Sequence, residues 1–379
     1  MRIYLWEYAV SPHLGNILSG MAALGYDTYY VVHSETYSVR QAEGWVLPDL
    51  PGVKILQPRS SSQMHNIIAS ASPEDIHICA GLRGSDHVRL ATAALRAAGR
   101  RFIVFMETID ERSPLSFLKR PLYKKLFFQN RLQLEGILAA GADTPAWVAA
   151  RGVPSSKIFS FAYFLNAPRA VKRRSRPLTG VRLLFVGNLI ARKRVRLIIE
   201  ALRSLPNDVT LDIVGDGPLR ARLAELGEAY APGRVIFHGT RPMPEIASFM
   251  ASADCLVLPS DHDGWGAVIS EAMLAGTPVV CSDRCGASVI VRASGCGKVF
   301  QAFARNTCAE ALKTQVSAGP IFNQERAALS SWSKCLAAPE GSLYLDRIVK
   351  HLRCGGQRPI PPWAKAGRLD SKLKSKALT

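Results

Sequence analysis

The chain has 379 residues, 48% of them hydrophobic and 21% charged, which is too long for one ordinary core and suits two globular domains. Its formal net charge of +18 implies anionic partners: nucleic acid, phosphorylated substrates or an acidic membrane surface. The eight cysteines are scattered without a CxxC, which argues against a zinc site or a small disulfide scaffold and reads as reduced thiols of a cytosolic protein. MRIYLWEYAV lacks the basic and then apolar regions of a signal peptide and reads as a first strand. No apolar run approaches the ~20 residues that cross a bilayer, so any membrane contact is peripheral.

Short apolar runs alternate with amphipathic stretches. Strands are predicted at 3–8, 28–34, 53–56, 76–81, 101–107, 136–141 and 158–164, with helices such as NILSGMAALG and HVRLATAALRAAG between them. That spacing means βαβ units and a mostly parallel sheet over residues 1–165. Residues 166–180, NAPRAVKRRSRPLTG, are basic, Pro-bearing and aperiodic, as a linker would be. A second series over 181–330 has strands at 182–188, 209–215, 234–239, 255–260 and 277–283, and helices near 195–205, 218–230, 243–251 and 267–275. Residues 331–352 read as helical. The Lys-rich stretch 353–379 shows no strong periodicity and is expected to be disordered. The fold class is therefore α/β, two Rossmann-like domains facing a central cleft. In such sheets ligands sit beyond the carboxyl ends of the strands.

Four loops of the second half meet that condition. In DHDGWGAVISEAMLAGTPVVCSD (261–283), a glycine-bearing turn precedes a helix whose free N–H groups suit a diphosphate, unless Asp263 merely caps it. Glu271 is the one charge in AVISEAMLAG, and a carboxylate on a buried helix needs a partner: a ribose diol, or an Arg or Lys. In LIARKRVRLII, Arg192 and Lys193 stand just before a helix, where cations hold phosphate oxygens. In VGDGPLR, Gly215 and Gly217 permit close backbone approach to a ligand. Arg220 takes the place of the third glycine, so the dinucleotide fingerprint fails. FHGTRP, with Thr240, follows a strand and suits the lining of a base pocket.

Together these loops resemble the retaining GT-B glycosyltransferases of family 4, over residues 181–292 and more faintly through SPHLGNILSGMAALGY and FMETIDE. The resemblance implies that Glu271 holds the ribose and that Asp263, where the family usually has glutamate, lies beside the donor sugar. It implies that Gly264, Trp265 and Gly266 bring backbone to the sugar diphosphate. It gives Lys193, with Arg192, the phosphate charge; many relatives have Arg where Asn188 stands, and usually Gly or Asn where Arg194 stands. Gly15 matches a loop meeting the diphosphate. His13 and Glu107 are acceptor-side candidates. Met106 stands where some relatives have His, so no general base is assigned. Asp261-His262-Asp263 looks like the DxD metal site of the other glycosyltransferase fold, but it falls late, in a second domain, so neither metal nor cofactor is expected.

The segment 112–133 carries Arg112, Lys119, Arg120, Lys124, Lys125 and Arg131 among Leu, Phe and Tyr with no acid, as on helices that lie on anionic membranes or as on a solvated helix. No nucleic-acid-binding motif is evident. The expected function is transfer of a hexose from a nucleotide-diphosphate sugar, bound by the second domain, to a glycan or lipid-linked glycan bound by the first, in surface polysaccharide or lipopolysaccharide assembly. As in relatives, helix 331–352 is expected to pack back on the first domain. The setting is cytoplasmic, peripheral on the inner face of the membrane. A catalytically inactive sugar-nucleotide-binding scaffold and an NAD-dependent oxidoreductase are the rivals.

Overall fold

The computed structural model describes residues 1–34, 48–111, 114–166 and 180–369, and these divide into two units. The linker expected at 166–180 lies outside the described residues except at its ends, as do 112–113 of the basic segment.

The first unit holds the chain to Asn166 together with Ala338–Pro362. Its strands are β1 (Arg2–Ala9), β2 (Asp27–Ser34), β3 (Val53–Leu56), β4 (Ile76–Ala80), β5 (Phe102–Glu107), β6 (Leu134–Ala140) and β7 (Ile158–Phe161). They form one sheet in the order β3-β2-β1-β4-β5-β6-β7, every pair parallel. Continuous apolar runs such as FIVFM are buried because helices cover both faces of a parallel sheet. Ser11, Ser60 and Ser85 each begin a helix by accepting the backbone N–H three residues on, from Leu14, Gln63 and Val88. The helix Ala338–Cys354 packs on the helix Pro12–Ala23 of this unit. Ser342 Oγ donates to Ile17 O at 3.0 Å, Tyr26 Oη to Asp346 at 2.7 Å and Tyr344 Oη to Ser160 O at 3.0 Å.

The second unit holds 180–337 of the described chain and residues from Trp363. Its strands are β8 (Arg182–Val186), β9 (Thr210–Val214), β10 (Val235–Gly239), β11 (Cys255–Leu258), β12 (Val279–Ser282) and β13 (Gly297–Phe300), in the parallel order β10-β9-β8-β11-β12-β13. Sequence pattern missed β13 and the helices Ser288–Ser294, Thr307–Val316 and Asn323–Ser333. GKVF is four residues long and edges the sheet, too short to show a period.

The expectation of a disordered tail from 353 needs correction as far as residue 369. Residues to Cys354 complete a helix, and a short helix Pro362–Lys365 follows. Trp363 is only 4% exposed, with its ring 6.4 Å from that of Trp265. Trp332 Nε1 donates to Gly367 O at 2.6 Å and Leu369 N to Ser294 O at 3.0 Å. One large aromatic buries enough area to order an otherwise polar stretch, a signal that periodicity does not carry. Residues 370–379 lie outside the described chain.

In both sheets the strand order reverses, between β1 and β4 and between β8 and β11. Ligands of doubly wound sheets bind at such switch points, outside the carboxyl ends of the strands.

Candidate active site

The loops after β8 and β11 stand together at the switch point of the second unit. After β8 a tight 3-10 turn, Ala191–Lys193, ends on Arg194 in the left-handed region, φ 51°. An L side chain is strained there, which is the physical reason that Gly or Asn suits this position. Arg194 is held by a guanidinium bond to Ala302 O at 2.5 Å.

Asp261 N donates to Arg192 O at 3.0 Å, joining the two loops through backbone. Arg192 Nη1 donates to His262 O at 2.6 Å and to Asp263 Oδ1 at 3.0 Å, and Lys193 Nζ donates to Asp263 Oδ2 at 2.7 Å. The three residues expected to do chemistry are therefore in direct contact. Burial pushes the Asp263 carboxyl up, but Lys193, and after it Ser260 and Arg192, outweigh it, so it lies below the ordinary aspartate value. It is a carboxylate at neutral pH, and the cluster carries a net positive charge.

A third loop, after β12, grips the same turn. Asp263 N donates to Arg284 O at 3.1 Å, Gly286 N to Asp263 O at 3.0 Å and Ala287 N to Trp265 O at 2.7 Å. Sequence reasoning missed residues 284–287, because backbone partners leave no residue-type signature. Trp265 is fully buried and donates from Nε1 to Ser270 Oγ at 3.0 Å, so only its backbone and that of Gly264 and Gly266 belong to the turn. The N-cap of the helix Ala267–Leu274 is Gly266, at φ 88°. Asp263 does not cap it.

Glu271 lies on that helix among the buried Ile269, Ser270, Ala272, Met273 and Leu274. Among the described residues it makes no hydrogen bond and no ion pair, and removal from water pushes its carboxyl up to about 7. The Arg or Lys partner that a structural carboxylate would need is absent among the described residues.

The remaining candidates of this unit lie along the same edge. Gly215 and Gly217 have φ 132° and 156°, and a Cβ added to them would lie 2.1 Å from Gly187 O and 2.8 Å from the backbone of Leu189. The close approach requiring glycine is thus to the loop after β8, rather than only to a ligand as expected. Asn188 is exposed in that loop, and Thr240 is exposed just after β10, next to the pairing of Gly215 N with Gly239 O at 2.8 Å. In the first unit, Gly15 sits in the first turn of Pro12–Ala23, where an added Cβ would lie 2.9 Å from Leu50. His13 stacks on Tyr163 with centroids 4.5 Å apart, and Glu107 ends β5, half-buried. Sequence reasoning missed Glu7 at the end of β1, whose carboxylate accepts from Tyr30 Oη and, at 3.2 Å, from Ser11 Oγ. Among the described residues no group of three or more His, Cys, Asp or Glu is placed to hold a metal ion.

The lipopolysaccharide outer core galactosyltransferase WaaB is similar to this structure over 91% of this chain and 100% of its own, with TM-score 0.66 and 16% identity. Anabaena Alr3699/HepE in complex with UDP is similar over 92% and 100%, with TM-score 0.70 and 16% identity. The fold is of the GT-B class, built of two Rossmann-like α/β domains. Residues 169–327 match the family described as glycosyl transferases group 1. Over 116 residues the chain is 40% identical to the 2-deoxystreptamine glucosyltransferase of Streptomyces kanamyceticus, covering 29% of this chain and 30% of that protein. Over 144 residues it is 31% identical to the lipopolysaccharide glucosyltransferase WaaG of Escherichia coli strain K12, covering 37% of this chain and 38% of that protein. The matches thus span about a third of the length of these curated relatives.

Proposed function

We propose that the protein is a retaining family 4 glycosyltransferase that moves a hexose from a nucleotide-diphosphate sugar to a hydroxyl of a glycan or lipid-linked glycan. The observation that carries the reading is the Arg192–Lys193–Asp263 cluster at a switch point, with Glu271 desolvated and without a partner among the described residues on the adjoining helix. A ribose diol supplies the two donors that a carboxylate at Glu271 needs. The diphosphate takes over the charge of Arg192 and Lys193 from Asp263, which then faces the sugar. In transfer, the bond from the anomeric carbon to the diphosphate oxygen breaks. The acceptor oxygen bonds to that carbon on the same face, and its proton passes to the leaving diphosphate. Arg192 and Lys193 offset the charge growing there, a preorganised effect of about 3–4 kcal/mol per good donor. The reading requires no metal or cofactor.

The test is release of nucleoside diphosphate and sugar transfer across UDP-, GDP-, ADP- and TDP-sugars, with NAD as a control. Turnover of one sugar nucleotide, and no response to NAD, is expected. Binding of NAD alone, or of none of them, would overturn the reading. Relatives named for lipopolysaccharide glycosylation support a role in surface polysaccharide or lipopolysaccharide assembly.

A lipid-linked acceptor fits the basic segment. The helix Lys119–Asn130 buries Tyr123, Phe127 and Asn130 and exposes Arg120, Lys124, Lys125 and Phe128, with Phe117 and Leu132 exposed beside it. No helix of the described residues is long and apolar enough to cross a membrane. This pairing of charge with exposed rings supports peripheral attachment to the inner face of the cell membrane. Lys124→Glu with Lys125→Glu is expected to lower sedimentation with phosphatidylglycerol vesicles at least about tenfold and leave unchanged any with phosphatidylcholine. Equal sedimentation of variant and wild type would remove the membrane from the proposal.

A further inference from the structure

Among the described residues, two that are not glycine have a positive φ: Arg194 at 51° and Asn306 at 60°. Asparagine tolerates the left-handed region, whereas an arginine Cβ is crowded there. Both positions stand just before helices, Arg196–Leu202 and Thr307–Val316, that pack on each other. These helices follow β8 and β13, which lie three places apart in the sheet, about 14 Å at the usual strand spacing. The Arg194 side chain links the loops after those two strands. Its Nη1 donates to Ala302 O at 2.5 Å, and its guanidinium carbon lies 5.7 Å from the ring centroid of Phe303, which is 70% exposed.

This link completes a circuit. Ala302 N donates to Asp283 Oδ1 at 3.0 Å and Asp283 N to Phe300 O at 2.8 Å, which ties the loop after β13 to the loop after β12. The next residue, Arg284, accepts at its O from Asp263 N, and the Asp263 carboxylate accepts from Lys193 Nζ. From Lys193 the chain returns to Arg194. The hydrogen bonds thus form a ring through the loops after β8, β13, β12 and β11, and Arg194 is the side chain that closes it. Backbone holds this residue on both sides: Arg194 N donates to Ala191 O at 3.1 Å and Leu197 N to Arg194 O at 2.9 Å. Its φ therefore sets the direction in which the chain leaves Lys193. Strain of this kind persists where the surroundings over-determine it, and it gathers at functional sites.

We propose that Arg194 is a positioning residue: by clamping the loop after β8 to the loop after β13, it holds Lys193 Nζ where the charge of the leaving diphosphate grows. The proposal rests on the glycosyltransferase reading above for the reaction, but the clamp is testable without turnover. Glycine and asparagine accept the left-handed backbone and do not reach Ala302 O, whereas lysine reaches it and keeps the strain. Arg194→Gly and Arg194→Asn are expected to melt within about 2 °C of the wild type or above it, since lost contacts are offset by relief of strain. They are expected to lose at least about tenfold in kcat with KM changed less than about twofold, because a displaced Lys193 stabilises the transition state less. Arg194→Lys is expected to regain most of the rate. Hydrogen exchange over residues 283–286 and 300–304, far in sequence from the substitution, is expected to quicken at least about tenfold in the Gly and Asn variants and not in Arg194→Lys. A kcat at the wild-type level, a kcat that falls only in step with melting temperature, or unchanged exchange in those loops would overturn the proposal. If the wild type turns over no sugar nucleotide, the glycosyltransferase reading fails by itself. Faster exchange in the Gly and Asn variants would then leave the clamp standing, and unchanged exchange would remove it as well.

Discussion

Glu271→Gln is expected to make the protein more stable at pH 8 and weaker toward its nucleoside diphosphate. The carboxyl stands at about 7 in the folded protein against an ordinary 4.5. Between those values the folded state binds more protons than the unfolded one. Stability of the wild type therefore falls as pH rises from 4.5 through 7, and the whole penalty is present above that. The penalty is at most about 3 kcal/mol, since Glu271 keeps some contact with water, and for a domain of this size that is at most roughly 6–12 °C in melting temperature. Glutamine stays neutral, so the variant should melt higher at pH 8, match the wild type near pH 4.5 and lack the slope between. Affinity for the nucleoside diphosphate should fall at least about tenfold, and about a hundredfold in Glu271→Ala, as charge-assisted bonds to two hydroxyls are lost. Thermal melts against pH, with and without nucleotide, measure both effects. A variant less stable than the wild type at pH 8 would mean that Glu271 has a structural partner. Unchanged affinity would mean that it does not touch the ribose.

Lys193→Met is the second large effect. Asp263 is buried between Lys193 and Arg192, and removing one cation leaves a carboxylate half-neutralised. A loss of about 2–4 kcal/mol at pH 7 is expected, shrinking in acid as Asp263 takes up a proton. In the wild type the sign runs the other way. The Asp263 carboxyl is depressed, so its contribution is present above the ordinary aspartate value and disappears as pH falls through the folded one. The double variant Lys193→Met/Asp263→Asn should regain most of the stability, yet remain about 100–1,000-fold slower in transfer than the wild type. Urea unfolding of both single variants and the double gives the coupling, and single-turnover transfer gives the rate. If the double variant recovers rate along with stability, the cluster is structural and the diphosphate is held elsewhere.

The alternation of apolar runs made twelve of the strands legible, since each buried parallel strand needs an uninterrupted apolar stretch. Glu271 was legible for the same reason: one charge in an apolar helix stands out against its neighbours. Gly215 and Gly217 were legible as glycines, but a ligand was only half of the explanation, because their space is filled by the backbone of Gly187 and Leu189. Trp363 orders a stretch that composition assigns to disorder, because its burial depends on Trp265 almost a hundred positions away.

By itself the sequence determined the class of fold and the loops that carry chemistry, because periodicity and turn residues are local properties of the chain. Only the tertiary structure decided that Asp263 meets Arg192 and Lys193. Those residues are about seventy positions apart, and what joins them is the placing of β11 beside β8, with β9 and β10 sent to the other side. Strand order is set by which apolar faces bury best against each other, a sum over the whole domain that no single segment encodes.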